Sequence, residues 1–248
     1  MLYPDGLHSL VIENGALNAF SLEPLHGIRN LTFVYLRYNH LQRLVVSRDS
    51  KLVISIDSLK LSNNLLEFVN MEFFKPFKQL RELDLTKNRL KQIITNEPVV
   101  LPSLYRLELA DNQLTELNFS IWNAPSLLSQ SRQTASVQCV LLSALEHIIL
   151  SNNNLTTIDF NLWDMPSLSI IDLDGNRLNR LYISFNKFPK LRTLVIGKNF
   201  FSCLDMRSFE TYIEKYVVIV KSENDNSTCP TNSSIKHPLE NGVICCND

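Results

Sequence analysis

Three residue types in this chain could carry chemistry: five cysteines, five histidines and an asparagine that recurs at a near-constant interval. Four cysteines, Cys203, Cys229, Cys245 and Cys246, lie between residues 203 and 248, and the fifth, Cys139, stands apart. Clustered thiols either hold a metal ion or form disulfides. A structural zinc site needs paired ligands, and no Cys-x-x-Cys or His-x-x-x-His accompanies these four. Two disulfides and an oxidising compartment are therefore expected. A bond between the adjacent Cys245 and Cys246 would be strained, which favours Cys203–Cys229 among the possible pairings. That choice leaves Cys245 and Cys246 with unassigned partners, in this chain or in another.

The histidines do not converge. His8, His26, His40, His147 and His237 are spread along the chain. Glu146 and His147 are strand neighbours that point to opposite sides, so they make no acid–base pair. No phosphate-binding glycine loop, nucleophile elbow or metal cluster is present. The sequence therefore offers no catalytic residue, no cofactor site and no metal site, and an enzyme is not expected.

The asparagine belongs to a repeat, Leu-x-x-Leu-x-Leu-x-x-Asn-x-Leu. It reads Leu31, Val34, Leu36, Asn39, Leu41, then Ile56, Leu59, Leu61, Asn64, Leu66. The next copies are Leu80, Leu83, Leu85, Asn88, Leu90 and Leu104, Leu107, Leu109, Asn112, Leu114. After a gap come Leu145, Ile148, Leu150, Asn153, Leu155 and Leu168, Ile171, Leu173, Asn176, Leu178, then Leu191, Leu194, Ile196, Asn199, Phe201. A worn copy at Leu7, Leu10, Ile12 and Leu17 lacks the asparagine. Successive template asparagines stand 25, 24, 24, 41, 23 and 23 residues apart.

Each copy predicts a short strand with one buried face, because its leucines alternate with period two. The asparagine falls where the chain leaves the strand, and its amide can donate to and accept from backbone groups of neighbouring coils. One coil cannot cover its own apolar face, but stacked coils bury a continuous leucine column. The predicted fold is an α/β repeat solenoid: a leucine-rich-repeat horseshoe with a concave parallel β-sheet and a disulfide-bonded C-terminal cap. About eight coils fill residues 1–202 and the cap fills residues 203–248.

On the outer side, Pro102, Pro125, Pro166 and Pro189 each precede a coil-opening leucine by two residues. Phe119-Ser-Ile-Trp122 matches Phe160-Asn-Leu-Trp163, with Ile183-Ser-Phe185 in the same place one coil later. Such aromatics could form a ligand-stacking platform, but filling the convex side of the core is the expected role. The 41-residue interval between Asn112 and Asn153 implies an inserted segment at 128–145. It is either a binding loop or a translated intron, since Val137–Leu142 is apolar for a solvated loop.

The cap pattern, Met206, Phe209, Ile213 and Tyr216 with Asp205 near its start, predicts an amphipathic helix, and Val217–Val220 a covering strand. Glycosylation sequons stand at Asn30, Asn118, Asn154, Asn226 and Asn232. Twenty-four basic and 25 acidic residues give a net charge of −1 without a basic run. That argues against a nucleic acid or an anionic membrane as partner. No stretch is long enough to span a bilayer, and Met1-Leu-Tyr-Pro-Asp-Gly does not start a secretory signal.

The repeats alone fit any extracellular leucine-rich-repeat protein, Toll-type receptors included. The cap is narrower in its resemblance. A lone Cys203 after the last coil, a helix, Cys229 and the adjacent Cys245-Cys246 resemble the mosquito leucine-rich immune molecules. That resemblance implies a secreted haemolymph glycoprotein of innate immunity. It would pair with a related leucine-rich-repeat chain, often through a disulfide, and act as adaptor or stabiliser for a complement-like thioester protein. Long members of that family continue into a coiled coil after the double cysteine, whereas this chain stops at Asp248 and begins within a repeat; it is either a fragment or a short member. The alternative is the ectodomain of a membrane-anchored leucine-rich-repeat receptor. In either case the binding face is the concave one, where Tyr35, Lys60, Asp84, Glu108 and Asp172 form a mainly acidic column beside Arg37, Arg106 and His147.

Overall fold

The computed structural model describes residues 6–97, 99–117, 140–163, 165–215, 217–220, 229 and 233–247. Nine short parallel strands form one sheet in chain order. They are β1 (Ser9–Val11), β2 (Phe33–Tyr35), β3 (Ser58–Lys60), β4 (Glu82–Asp84), β5 (Arg106–Glu108), β6 (His147–Ile149), β7 (Ile170–Asp172), β8 (Thr193–Val195) and β9 (Val218–Ile219). The middle residues of the first eight, Leu10 through Leu194, are register partners from strand to strand. From β2 to β8 every one of these is buried. Each such side chain contributes roughly 1.5–3 kcal/mol of burial, so the column is the main apolar store of the fold.

The asparagines stitch the layers together. Asn64 donates its amide to the carbonyl oxygens of Leu36 (2.9 Å) and Leu61 (3.0 Å), and its Oδ1 accepts from the Leu41 N–H at 3.0 Å. Asn88, Asn112, Asn153, Asn176 and Asn199 repeat this three-way pattern one coil further on. Backbone groups where the chain turns inward would otherwise be buried unpaired. The residue before each template asparagine has positive φ: Tyr38, Asn63, Lys87, Asp111, Asn152, Gly175 and Lys198. This left-handed step carries the chain out of the strand and aims the amide inward.

The convex side is lined by short parallel ladders, such as Ala19–Ser21 on Arg43–Val45 and Phe68–Asn70 on Gln92–Ile94. Phe73, Phe74 and Phe77 pack with ring centroids 5.1–6.1 Å apart, and Phe160 lies 4.7 Å from Trp163. These rings are buried, so core filling is their role; Phe119 and Trp122 lie outside the described residues.

Most of the 128–145 segment also lies outside the described residues, but its end is packed into the coil rather than looped out. Val140–Leu141 pairs with Val99–Val100 on the convex side, and Leu142 and Leu145 are buried. Burial of Leu142 accounts for part of the segment's apolar character. Across the 41-residue interval, β5 and β6 remain direct neighbours.

The cap departs from expectation in two respects. In place of one helix there are two, α1 (Cys203–Ser208) and α2 (Glu210–Glu214). The Ser208 hydroxyl donates to the Asp205 carbonyl at 2.6 Å, and the Phe209 N–H turns to Met206 and Arg207. Side-chain competition for a helical carbonyl breaks the run there. Met206, Phe209 and Ile213 are still buried over the last coil; Tyr216 is outside the described residues. The second correction concerns the cysteines. Cys203 bonds Cys246 and Cys229 bonds Cys245, with Cα–Cα distances of 5.0 and 5.1 Å, so Cys203–Cys229 does not form and neither Cys245 nor Cys246 is left for another chain. The reason is strand geometry. Strand β10 (Ser233–Lys236) pairs antiparallel with β11 (Val243–Cys246), and adjacent residues of a strand face opposite ways. Cys246 turns inward to α1 while Cys245 meets Cys229.

Candidate protein-interaction surface

The strand residues flanking each buried leucine face outward from the sheet. Tyr35, Lys60, Asp84, Glu108, Ile149, Asp172 and Val195 are successive register partners, so the sequence-assigned column is contiguous. Arg106 and His147 are partners in the parallel column before it. Arg37 lies beyond the end of β2, its Nε on Glu13 at 2.5 Å and its guanidinium 5.3 Å from the Tyr35 ring centroid.

The middle of the face is a network of paired charges. The Tyr105 hydroxyl donates to Glu82 at 2.6 Å, and Lys60 approaches the same carboxylate at 3.0 Å. Arg106 donates through Nε to Glu108 at 2.5 Å and reaches His147 Nδ1 at 3.1 Å through Nη1. A guanidinium can only donate, so Nδ1 accepts and the imidazole proton sits on Nε2. The Tyr105 hydrogen bond holds the Glu82 carboxyl below its usual range against the opposing effect of burial. The same bond raises the Tyr105 phenol. Burial, and then the Arg106 charge, push His147 below its ordinary value.

This pairing changes the character of the expected acidic column. Asp84 is buried and its Oδ1 accepts from the Thr86 N–H at 2.9 Å; Asp172 does the same for Asp174 at 3.0 Å. Glu108 is bound to Arg106. The carboxylates therefore face in-chain partners, and the surface reads as mixed. Toward β1 it is aromatic, with Phe33 and Tyr35 rings 6.1 Å apart; toward β9 it is aliphatic, with Ile149, Ile170 and Val195. Sequence reasoning missed Glu82 and Tyr105. The signal was the template itself, which places Glu82 level with Ser58 and Arg106 of the neighbouring coils and diagonal to Lys60.

Of the sequons, Asn30 is exposed and Asn154 half-buried; Asn118, Asn226 and Asn232 lie outside the described residues. Among the described residues no group of three His, Cys, Asp or Glu side chains could hold a metal ion. Among them, too, no helix is long and apolar enough to cross a membrane.

Comparison with known proteins agrees with this geometry. The leucine-rich-repeat family model matches residues 54–117 and 138–178. No curated protein sequence matches the chain significantly. Human 5T4 (Wnt-activated inhibitory factor 1, trophoblast glycoprotein) is similar in structure, with a TM-score of 0.60 at 20% identity over 90% of this chain and 79% of that one. The leucine-rich-repeat domain of APL1B is similar with a TM-score of 0.56 at 18% identity, over 98% of this chain and 73% of that one. At those identities the likeness is one of fold. Template, asparagine ladder, parallel sheet and the family match over those two stretches agree that this chain has the leucine-rich-repeat fold.

Proposed function

We propose that this chain is a secreted innate-immune protein whose concave sheet docks another protein, as adaptor or stabiliser for a complement-like thioester protein. The observation that carries the docking face is the unbroken register of Tyr35, Lys60, Asp84, Glu108, Ile149 and Asp172, flanked by Arg37, Arg106 and His147. Aromatic and arginine side chains held on a rigid sheet lose little freedom on binding, and these types dominate binding energy at protein interfaces. The cap cysteines that resemble the mosquito immune molecules support the immune reading. The fold likeness to the APL1B repeat domain over 98% of the chain is consistent with it. The closed cap disulfides favour secretion, because such bonds persist in oxidising compartments. Glycans on Asn30 and Asn154 belong to the same proposal.

A related chain would pair without these cap cysteines, since all four are bonded within the chain. The test is direct binding of purified thioester protein to the wild type and to Tyr35→Ala, Arg37→Ala and Arg106→Ala variants. Loss of about tenfold or more in affinity for at least one variant is expected from a buried anchor. Full affinity in all three, with native folding retained, removes the concave face from the proposal.

A further inference from the structure

On the opposite side of the molecule, the last coil and the cap enclose a groove with a volume of about 370 Å³. Such a volume falls within the range of small-ligand sites. Its lining comes from Asn161, the turn Leu181–Phe185, and Ser208, Phe209 and Tyr212 of the cap. Phe185 of the coil stacks on Tyr212 of α2 with centroids 4.0 Å apart and planes at 23°, so the floor is a fixed aromatic pair. Phe209 beneath is buried.

Two features set this groove apart from the rest of the convex side. Of the convex aromatics, Phe160, Trp163 and Phe188 fill the core and Phe68 is 51% exposed, yet Tyr182 is more open than any of these at 70%. Its backbone is held in place by the bridge to Asp159 and by the buried Leu181. Moreover, among the described residues no lining residue carries a charge at neutral pH, in a chain where charged residues make up 20%. Lys187, from the same turn, has its ammonium on the carbonyl oxygens of Phe160 and Asn161.

We propose that this groove binds a neutral sugar, with one pyranose face lying on the Tyr182 ring. An aromatic face is electron-rich and attracts the weakly positive C–H groups on the flat side of a sugar. The sugar's edge carries hydroxyls that need neutral donors and acceptors, and Asn161, Ser184 and Ser208 of the lining supply these, Ser208 as an acceptor because its proton goes to the Asp205 carbonyl. A phosphate or carboxylate ligand would find no cation among the described lining residues. A guest aromatic side chain would leave the polar rim unmatched, which carries a desolvation cost.

The test is an amide chemical-shift titration of the full chain with N-acetylglucosamine, methyl β-glucoside, chitotriose and N-acetyltyrosinamide. Saturable shifts confined to residues 181–185 and 208–212 are expected with at least one sugar. Chitotriose binding more tightly than the monosaccharide identifies a glycan chain as the source, and equal affinity identifies a single ring. Tyr182→Ala should weaken binding about fivefold or more, while Tyr182→Phe retains it, because the stacking face is what acts. Tyr38→Ala, an exposed tyrosine on another face, serves as the specificity control and should leave affinity unchanged. The proposal is overturned by shifts with tyrosinamide alone, by no saturable shift with any sugar, or by sugar shifts that survive Tyr182→Ala.

Discussion

At the N-terminal end of the solenoid Leu7, Leu10 and Leu17 are half-buried and Ile12 is 38% exposed. At the C-terminal end Leu191 is half-buried as Leu7 is, but Leu194, Ile196 and Phe201, which correspond to Leu10, Ile12 and Leu17, are buried beneath α1, α2 and the β10–β11 hairpin. The template positions are the same, and the difference lies in what is stacked on them. Each coil's apolar residues acquire their value from a neighbour, so identical substitutions in different coils measure the neighbour and not the residue.

The largest contrast should come from the cap. Removing the Cys203–Cys246 bond with paired serines is expected to cost about 4 kcal/mol, and removing Cys229–Cys245 about 3 kcal/mol, following the loop each closes. Urea unfolding of the two double variants measures this, and equal losses would argue that loop size does not govern cap stability. Next comes the leucine column. Leu107→Ala should lose about 3 kcal/mol, whereas Leu10→Ala should lose about 1, because its site is already open to water. Similar values at both sites would contradict the neighbour rule.

Smaller again is the asparagine pair. Asn112→Ala leaves the Leu90 N–H unpaired in a buried layer, takes one of two amide donors from each of the Leu85 and Leu109 carbonyls, and should cost about 2 kcal/mol. Asn39→Ala, beside the open coil where water reaches Leu17, should cost less. Amide exchange in adjacent coils would show whether the damage stays local. The smallest effect is that of pH on the central network. Glu82 has a lowered folded pKa, so its contribution is present above the ordinary carboxylate value and is lost as pH falls through the folded value. His147 is also lowered, so stability declines as pH drops below the ordinary imidazole value and levels off below the folded one. Each change should be under about 1 kcal/mol at these half-exposed sites. Glu82→Gln should flatten the acidic limb and His147→Gln the near-neutral one; an unaltered profile in both would separate the network from folding.

Much of this was legible from residue spacing. Leucines at fixed offsets gave the strands, and Asn88, Asn112 and Asn153 stand in line across the 41-residue interval. Periodicity works here because every copy reports on the same local geometry. It fails where a feature occurs once. The break at Ser208 depends on one hydroxyl, and the cysteine pairing on a hairpin that no repeat announces. Likewise, that Asp84 caps its own turn and Glu108 lies on Arg106 is decided by rotamers, so the column's composition was readable while its net character was not.

The ladder of amides has a direction. Asn64 serves Leu36 and Leu41 of the coil before it, Asn88 serves Leu61 and Leu66, and so on to Asn199, which serves Leu173 and Leu178. The layers thus overlap like roof tiles, each fastened down by the one laid after it. Lifting the final tile takes the acceptor from a backbone N–H of its predecessor, whereas lifting the first costs only the side-chain amide of Asn39, which keeps the Leu36 carbonyl of its own coil. Backbone partners in this ladder are therefore lost from the carboxyl end, and the carboxyl end is the one which carries both disulfides.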